Sequence, residues 1–447
     1  MPCWLASPAH RVQPNPKCDD NGNMQLLKNP RRDKLRTTPA HRRVLAIVGD
    51  TQVGLWVVRS LGRAGLDVYS VVRSRHGQAA HSRYSAGAWA LATPPSDPAF
   101  IDEVLALARR LGVGSVMTIS EGYHLALIAA RERFEPDIHV FSPSAECFAK
   151  ATDKDYMQRL CAELGVPVAR GTTLDELLTR RESLRFPVVL RSRKQNDPAG
   201  RAPWKAAYAE NRMELDKLAD TVRPIAHNII VQEYHPGVED HVQVLMHDGK
   251  AFMAGDYIGE HHMPLAGGVT VQRVSCRHDG LIRDAVRLLT AIGWQGVAGV
   301  QFHYDPASDE YIFLEINPRF IGGLPTVILA GFDAPKLLWQ SRFEPERMER
   351  TPYELGLRTR ILGGDANWMF GMMRGDQLPP GQKRLSRLGA VARFLWNCGP
   401  WTRDDTFLLA DAKPFFVDFA QMLRRLRSET FDIIGNPETQ EGKGKQG

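Results

Sequence analysis

Cysteine is scarce and unclustered. The six in 447 residues, Cys3, Cys18, Cys147, Cys161, Cys276 and Cys398, show no CxxC spacing, so neither a zinc site nor a disulfide framework is expected and a reducing compartment fits. No apolar run approaches the ~20 residues that cross a bilayer. The opening stretch lacks the apolar centre and small-residue cleavage site of a secretory signal. Arg31–Arg32 is followed by an apolar run, 44–48, too short for a twin-arginine signal. These absences favour a cytoplasmic address. There is no internal repeat and no convincing Ser–His–Asp or Cys–His set, so a protein nucleophile is not expected. The turn from Gly49 to Gly54 lacks the three-glycine spacing that brings backbone against a pyrophosphate, and reads as a strand-to-helix turn.

What is present is globular. An apolar share of 43% and a charged share of 24% belong to a folded chain, and this length suits two or three packed domains. The net charge of +6 gathers in the first 43 residues (Lys28, Arg31, Arg32, Lys34, Arg36, Arg42, Arg43) and near the end (Arg424, Arg425, Arg427). That distribution reads as solvated tails, and no nucleic-acid partner is expected.

Residues 1–42, rich in Pro, Asn, Lys and Arg, read as a disordered basic extension. From 43 to 143, strand patterns at 44–48, 68–72, 115–119 and 139–141 alternate with helical ones, which predicts a parallel α/β domain. Asp153 opens a helix ended by Gly165 and Pro167. Strand patterns then come in runs, at 188–191, 204–209, 228–232, 242–246, 251–256 and 269–275, and after a helix at 299–304 and 310–316. Runs of this kind predict antiparallel α+β structure, divided here into 144–233 and 234–335. Residues 336–434 read as a helical region and 435–447 as a disordered tail. The segment from Lys413 to Ser428 is an amphipathic helix, expected to dock on the protein rather than on a membrane surface.

The chemistry concentrates at Gln301 and at Glu315-Ile316-Asn317-Pro318-Arg319. The intervening Asp305-Pro306-Ala307-Ser308-Asp309 is turn chemistry, so the flanking strands form a hairpin and Gln301 falls opposite Glu315. Residues two apart share a strand face, so Glu315 and Asn317 project together. An all-oxygen set of this kind suits magnesium, and Arg319 just beyond could hold a phosphoryl group or carboxylate. A polar hairpin edge with a surface salt bridge is the bland alternative.

The stretch VQFHYDPASDEYIFLEINPRFIGG resembles the metal-binding hairpin of the ATP-grasp superfamily, in the form found in the large chain of carbamoyl-phosphate synthase. Stand-alone carboxylate–amine ligases share the architecture, and the resemblance extends over about 44–338. It implies a pre-grasp α/β domain followed by two α+β lobes enclosing ATP. Gln301, Glu315 and Asn317 would hold Mg²⁺ (or Mn²⁺), and Arg319 would face the transferred phosphoryl. Lys154, at the start of its helix, matches the first phosphate-binding basic residue, and Arg191 in FPVVLRSR matches the second. In IIVQEYHPGVED, Glu233 takes the place of the adenine acceptor and Glu239 that of the ribose acceptor, with Gln232, Tyr234 and His235 supplying further contacts. The family's Gly-rich flap is replaced here by 194–205, with a single Gly and with Lys194, Arg201 and Lys205 as cationic donors. Ser120–Glu121, His261–His262 and Gly322–Gly323 are candidates for the acceptor site.

The implied activity is an ATP-dependent ligase that activates a carboxylate as an acyl phosphate for attack by an amine. Its partners would be a small-molecule carboxylate and an amine, and a homo-oligomer stays open. Bicarbonate chemistry of the carboxyphosphate or carbamoyl type, and a nucleotide-binding module without turnover, are the competing expectations.

Overall fold

The computed structural model describes residues 24–28, 38–180, 184–192 and 207–434. Three sheets account for the architecture. The first holds β1 (Gln25–Lys28), β2 (Arg43–Ile47), β3 (Asp67–Val72), β4 (Ser85–Ala90), β5 (Ser115–Thr118) and β6 (His139–Phe141) in the order β1-β4-β3-β2-β5-β6. All pairings are parallel except that of β1 with β4.

In β2, Val44 and Ala46 enter one core with Trp56 and Leu61 of helix α1 (Gln52–Arg63). Leu45 and Ile47 enter a second core with Phe100 and Leu107 of α2 (Ala99–Leu111). A strand covered on both faces reads as a continuous apolar run, as this one does. Helix α3 (Glu121–Ala129) follows β5 directly.

The expectation of an unstructured 1–42 needs correction. Within it β1 closes the sheet edge, and Lys28 Nζ donates to the Ser82 and Ser85 carbonyls at 2.9 and 2.5 Å. Four residues are too few to show alternation against a Pro- and Arg-rich background.

Next come α4 (Ala145–Thr152) and α5 (Lys154–Leu164). The second sheet has the order β7-β10-β8-β9, from β7 (Gly171–Thr173), β8 (Val188–Ser192), β9 (Ala207–Ala209) and β10 (Ile229–Glu233), packed with α6 (Leu174–Arg180) and α7 (Arg212–Val222). The third contains β11 (Val238–His247), β12 (Lys250–Met263), β13 (Val269–Cys276), β14 (Gly296–Asp305), β15 (Glu310–Asn317), β16 (Arg358–Arg360) and β17 (Thr402–Asp404), in the order β15-β14-β11-β12-β13-β16-β17.

Two expected boundaries shift. Ala151, Met157, Leu160 and Cys161 of α4 and α5 share a core with Val242, Val244, Phe302 and Leu288, the last from α8 (Asp279–Ala291). These two helices therefore pack on the third sheet, not with 171–233. The region 336–434 is not only helical, because β16 and β17 extend the third sheet. Three-residue strands leave no periodicity to read, and these two lack the regular strand–helix alternation that marked 139–141. The remaining helices are α9 (Leu324–Leu329), α10 (Ala334–Phe343), α11 (Leu362–Arg374), α12 (Arg387–Trp396) and α13 (Lys413–Ile434).

The first and third units are fused. Phe320, Ile321, Leu324, Val327 and Trp339 enter the same core as Trp56 and Val57. Buried ion pairs tie in the C-terminal segment: Arg59 Nε meets Asp411 at 2.9 Å, and Arg273 Nη2 meets Asp405 at 2.7 Å. A buried pair is costly to break, because the partner left behind is an uncompensated charge. The segment after β15 is thereby held against the end of β5, where Glu121 begins α3.

Candidate functional site

A cavity of about 940 Å³ opens between α4–α5, the second sheet, β15 and the start of α3. Lys154, Arg191, Gln232, Glu315, Asn317 and Glu121 all line it. Five of these come from segments singled out in the sequence for phosphate, nucleotide and metal contacts.

Lys154 is the first residue of α5, fixed there because Asp153 caps the helix by accepting from the Asp155 and Tyr156 amides at 2.9 Å. A lysine at the positive end of a helix dipole is poorly placed for stability, and burial together with the Arg191 charge lowers its pKa. Arg191 stands in β8, between β10 and β9. Burial lowers its pKa too, against the attraction of Glu315 and Glu239. Its Nε is buried without a hydrogen-bond partner among the described residues. Two cations withdrawn from water around one carboxylate make a pocket suited to a polyanion.

The hairpin has the expected register: Gln301 pairs with Glu315 and Gly299 with Asn317. Asn317 Nδ2 lies 3.4 Å from Glu315 Oε1. The donors of Gln301, Glu315 and Asn317 include three oxygens of the kind a hard divalent cation takes, so these residues fit magnesium. Gln301 itself is not among the cavity's lining residues. A Cβ at Gly299 would strike the Ile321 side chain, so glycine there lets the loop after Pro318 fold back over β14. Gln243 fixes that loop from beneath, its Oε1 accepting from the Ile321 amide at 2.9 Å.

Arg319 is not among the cavity's lining residues but contacts two that are. Its Nη2 donates to Asn317 Oδ1 at 2.9 Å, and its Nε lies 3.6 Å from Glu121 Oε1. Burial raises the Glu121 pKa, with Arg319 opposing. Beneath them His124 is buried, its Nδ1 2.8 Å from Ser142 Oγ. Burial and the Arg319 charge push its pKa down to about 3, so the ring is neutral.

The expected adenine and ribose contacts are divided. Alternation along β10 puts Ile230 and Gln232 into the cavity, and Glu233 is not among its lining residues. The Glu233 carboxylate instead accepts from the Arg185 amide at 3.0 Å and lies 3.8 Å from Arg170. The Tyr234 amide donates to the Pro187 carbonyl at 2.9 Å, and the ring meets Tyr208 and His303 at centroid distances of 5.4 and 6.0 Å. His235 Nδ1 bonds its neighbour, the Pro236 carbonyl, at 2.8 Å. Glu239 lies 3.4 Å from both His241 Nε2 and His262 Nε2. Burial opposes its ionisation, but the two imidazoles prevail and hold its carboxyl below the usual range. Lys205, like Lys194 and Arg201, lies outside the described residues.

His124, Tyr208, His241 and His303 were not picked out from the sequence. His241 carried a usable signal, because it lies two residues from Glu239 on one strand and shares its face. Of the adjacent pair, His262 reaches Glu239, whereas His261 stacks on Trp368 at 3.5 Å and bonds Asp365 at 2.6 Å.

Comparison with known proteins bears on this geometry. The family described as ATP-grasp in the biosynthetic pathway with Ter operon matches residues 226–363. The chain is 23% identical over 198 residues to the N-terminal section of the carbamoyl phosphate synthase large chain of Methanopyrus kandleri, covering 41% of this chain and 34% of that one. It is 20% identical over 302 residues to biotin carboxylase 1 of Bacillus subtilis, covering 62% and 64%. It thus spans between a third and just under two thirds of these relatives' lengths. The fold is similar to that of a Campylobacter jejuni biotin carboxylase, with a TM-score of 0.55 at 15% identity, covering 71% of this chain and 74% of the other.

Proposed function

Because the chain belongs to the ATP-grasp superfamily, we propose that it is an ATP-dependent ligase that joins a carboxylate to an amine through an acyl phosphate. The observation that carries this reading is the convergence of Lys154, Arg191, Glu315 and Asn317 on one cavity between the lobes. In the first step a carboxylate oxygen attacks the γ-phosphorus, the bond to the β,γ-bridging oxygen breaks, and ADP leaves. In the second, the amine nitrogen attacks the acyl carbon, phosphate leaves with the oxygen it gained, and the amine loses a proton.

Lys154 and Arg191 spread the phosphoryl charge through both steps, in a site where low dielectric strengthens each contact. Gln301, Glu315 and Asn317 would hold a magnesium (or manganese) ion, which when bound neutralises phosphate charge. Arg319, poised between Asn317 and Glu121, faces the acceptor side and stabilises the oxyanion that forms at the acyl carbon. Glu121 keeps that guanidinium oriented. On the nucleotide side Gln232 and Tyr234 contact the base and Glu239 the ribose.

The test is a screen of amino acids, other small acids and bicarbonate for ADP release, with and without amines, with hydroxylamine added to trap acyl phosphate as hydroxamate. Hydroxamate formed with one acid class supports the proposal. ADP release with bicarbonate alone points to carboxyphosphate chemistry instead. Tight MgADP binding without turnover on any acid identifies a binding module and refutes the ligase.

A further inference from the structure

A second polar cluster lies on the opposite face of the third sheet. Glu239 and His241 share one face of β11 and meet each other there at 3.4 Å, so Asp240 between them points the other way, in register with Phe302 of the α8-side core. There it meets Asp256 of β12, Cys276 at the end of β13 and His278, which caps α8. One ligand-type atom from each of the four lies within 4.8 Å of the others.

The separations are informative. Cys276 Sγ is 3.7 Å from Asp240 Oδ2 and 3.7 Å from Asp256 Oδ2, and His278 Nδ1 is 3.6 Å from Asp256 Oδ2. A tetrahedral ion with bonds of about 2.0–2.3 Å to oxygen, nitrogen and sulfur holds its ligands about 3.3–3.7 Å apart. Of these four edges the His278–Asp240 one is shorter, at 2.6 Å, where a proton joins the two.

Charge points the same way. Both carboxylates have no exposed surface, and each has a buried Oδ1 without a hydrogen-bond partner. Among the described residues, His278 is the one basic side chain within ion-pair distance of either. The neighbouring Arg277 pairs with Asp279. Asp256 Oδ2 also accepts from the His278 amide at 2.7 Å, but that contact brings no charge; two fully buried carboxylates sharing one imidazole are under-compensated in charge, and buried charges are normally paired or bound to metal. The donor set is mixed, with two oxygens, one nitrogen and one thiol. Such a set suits a borderline-soft ion and not magnesium, which takes oxygens. Cys276 is partly exposed and the His278 side chain 23% exposed, which gives an ion a route from solvent.

We propose that Asp240, Asp256, Cys276 and His278 bind a divalent metal ion of the zinc type. The site is separate from the oxygen set around Glu315. It would join the start of β11, the middle of β12 and the end of β13 to the start of α8, and so brace the strand that carries Glu239 and His241.

Full-length protein is stripped with a chelator, supplied with excess Mg²⁺ to satisfy the Glu315 site, and titrated with Co²⁺. The expected result is a single Co²⁺ per chain, with tetrahedral ligand-field bands and a sulfur-to-metal charge-transfer band, displaced by an equal amount of Zn²⁺. Cys276→Ser should abolish the charge-transfer band, and His278→Gln should lose the ion, whereas Cys147→Ser and Cys398→Ser should change nothing. Failure to retain Co²⁺ or Zn²⁺, or a charge-transfer band that survives Cys276→Ser, overturns the proposal. If Cys276→Ser does not fold, X-ray absorption of the zinc-loaded parent decides: a shell with one sulfur and three lighter ligands supports the site, and a shell without sulfur overturns it. None of these readouts depends on ligase activity.

Discussion

Replacing Arg191 by Met should move stability and nucleotide affinity in opposite directions. The side chain is largely buried, its Nε lacks a partner among the described residues, and burial is the main influence on its pKa. Before ligand binds, such a charge is a burden, only partly offset by Glu315 and Glu239. An apolar side chain of similar length removes that burial cost. The melting temperature of Arg191→Met should therefore stay level or rise. With nucleotide the sign reverses: hydrogen bonds to charged groups contribute about 1.5–3 kcal/mol, so the MgADP dissociation constant should increase about 10- to 150-fold. Scanning calorimetry and titration calorimetry on the same preparation read both quantities. A melting temperature several degrees lower would make Arg191 a structural cation. Unchanged MgADP affinity would remove it from the phosphate site.

Further outcomes follow from other parts of the structure. Glu315→Gln should leave the fold intact and abolish the difference in ADP affinity between Mg²⁺ and chelator buffers, read by titration calorimetry. Arg59→Ala leaves Asp411 as a buried charge and should lower stability by about 3 kcal/mol, read from urea midpoints; a midpoint matching that of the parent would refute the role given to that ion pair. His124 stays neutral in the fold because its pKa is about 3, below the ordinary 6.5. The unfolded chain therefore binds the extra proton between those values, and stability is lost as pH falls below about 6.5, by at most about 1.4 kcal/mol per pH unit. His124→Gln should flatten that part of the profile in melting temperatures taken from pH 7 to 4.5.

The hairpin was legible because two local signals agree: turn chemistry at 305–309 marks the reversal, and strand alternation places Glu315 and Asn317 on one face; the register shift between Gln301 and Phe302, which sets Gln301 against Glu315 rather than Leu314, left no such signal. The same alternation, applied strictly to β10, would have separated Gln232 from Glu233. Template order along the chain paired them, and the structure puts only Gln232 in the cavity. Short strands escaped for want of period, as with Gln25–Lys28, Arg358–Arg360 and Thr402–Asp404. The packing of α4 and α5 on the third sheet depends on Met157 and Leu160 meeting Val242 and Phe302, a contact with no local trace. The Asp240–Asp256–Cys276–His278 cluster is the extreme case. Its members come from three strands and a helix cap, so cysteine spacing alone gave no hint of a metal centre.

The most direct test of the ligase chemistry follows one oxygen atom. Once the screen has identified the acid, its carboxylate is labelled with heavy oxygen and the released phosphate is analysed by mass spectrometry. Transfer through an acyl phosphate puts one labelled oxygen in each phosphate formed. Unlabelled phosphate, or label appearing in AMP, would contradict the account.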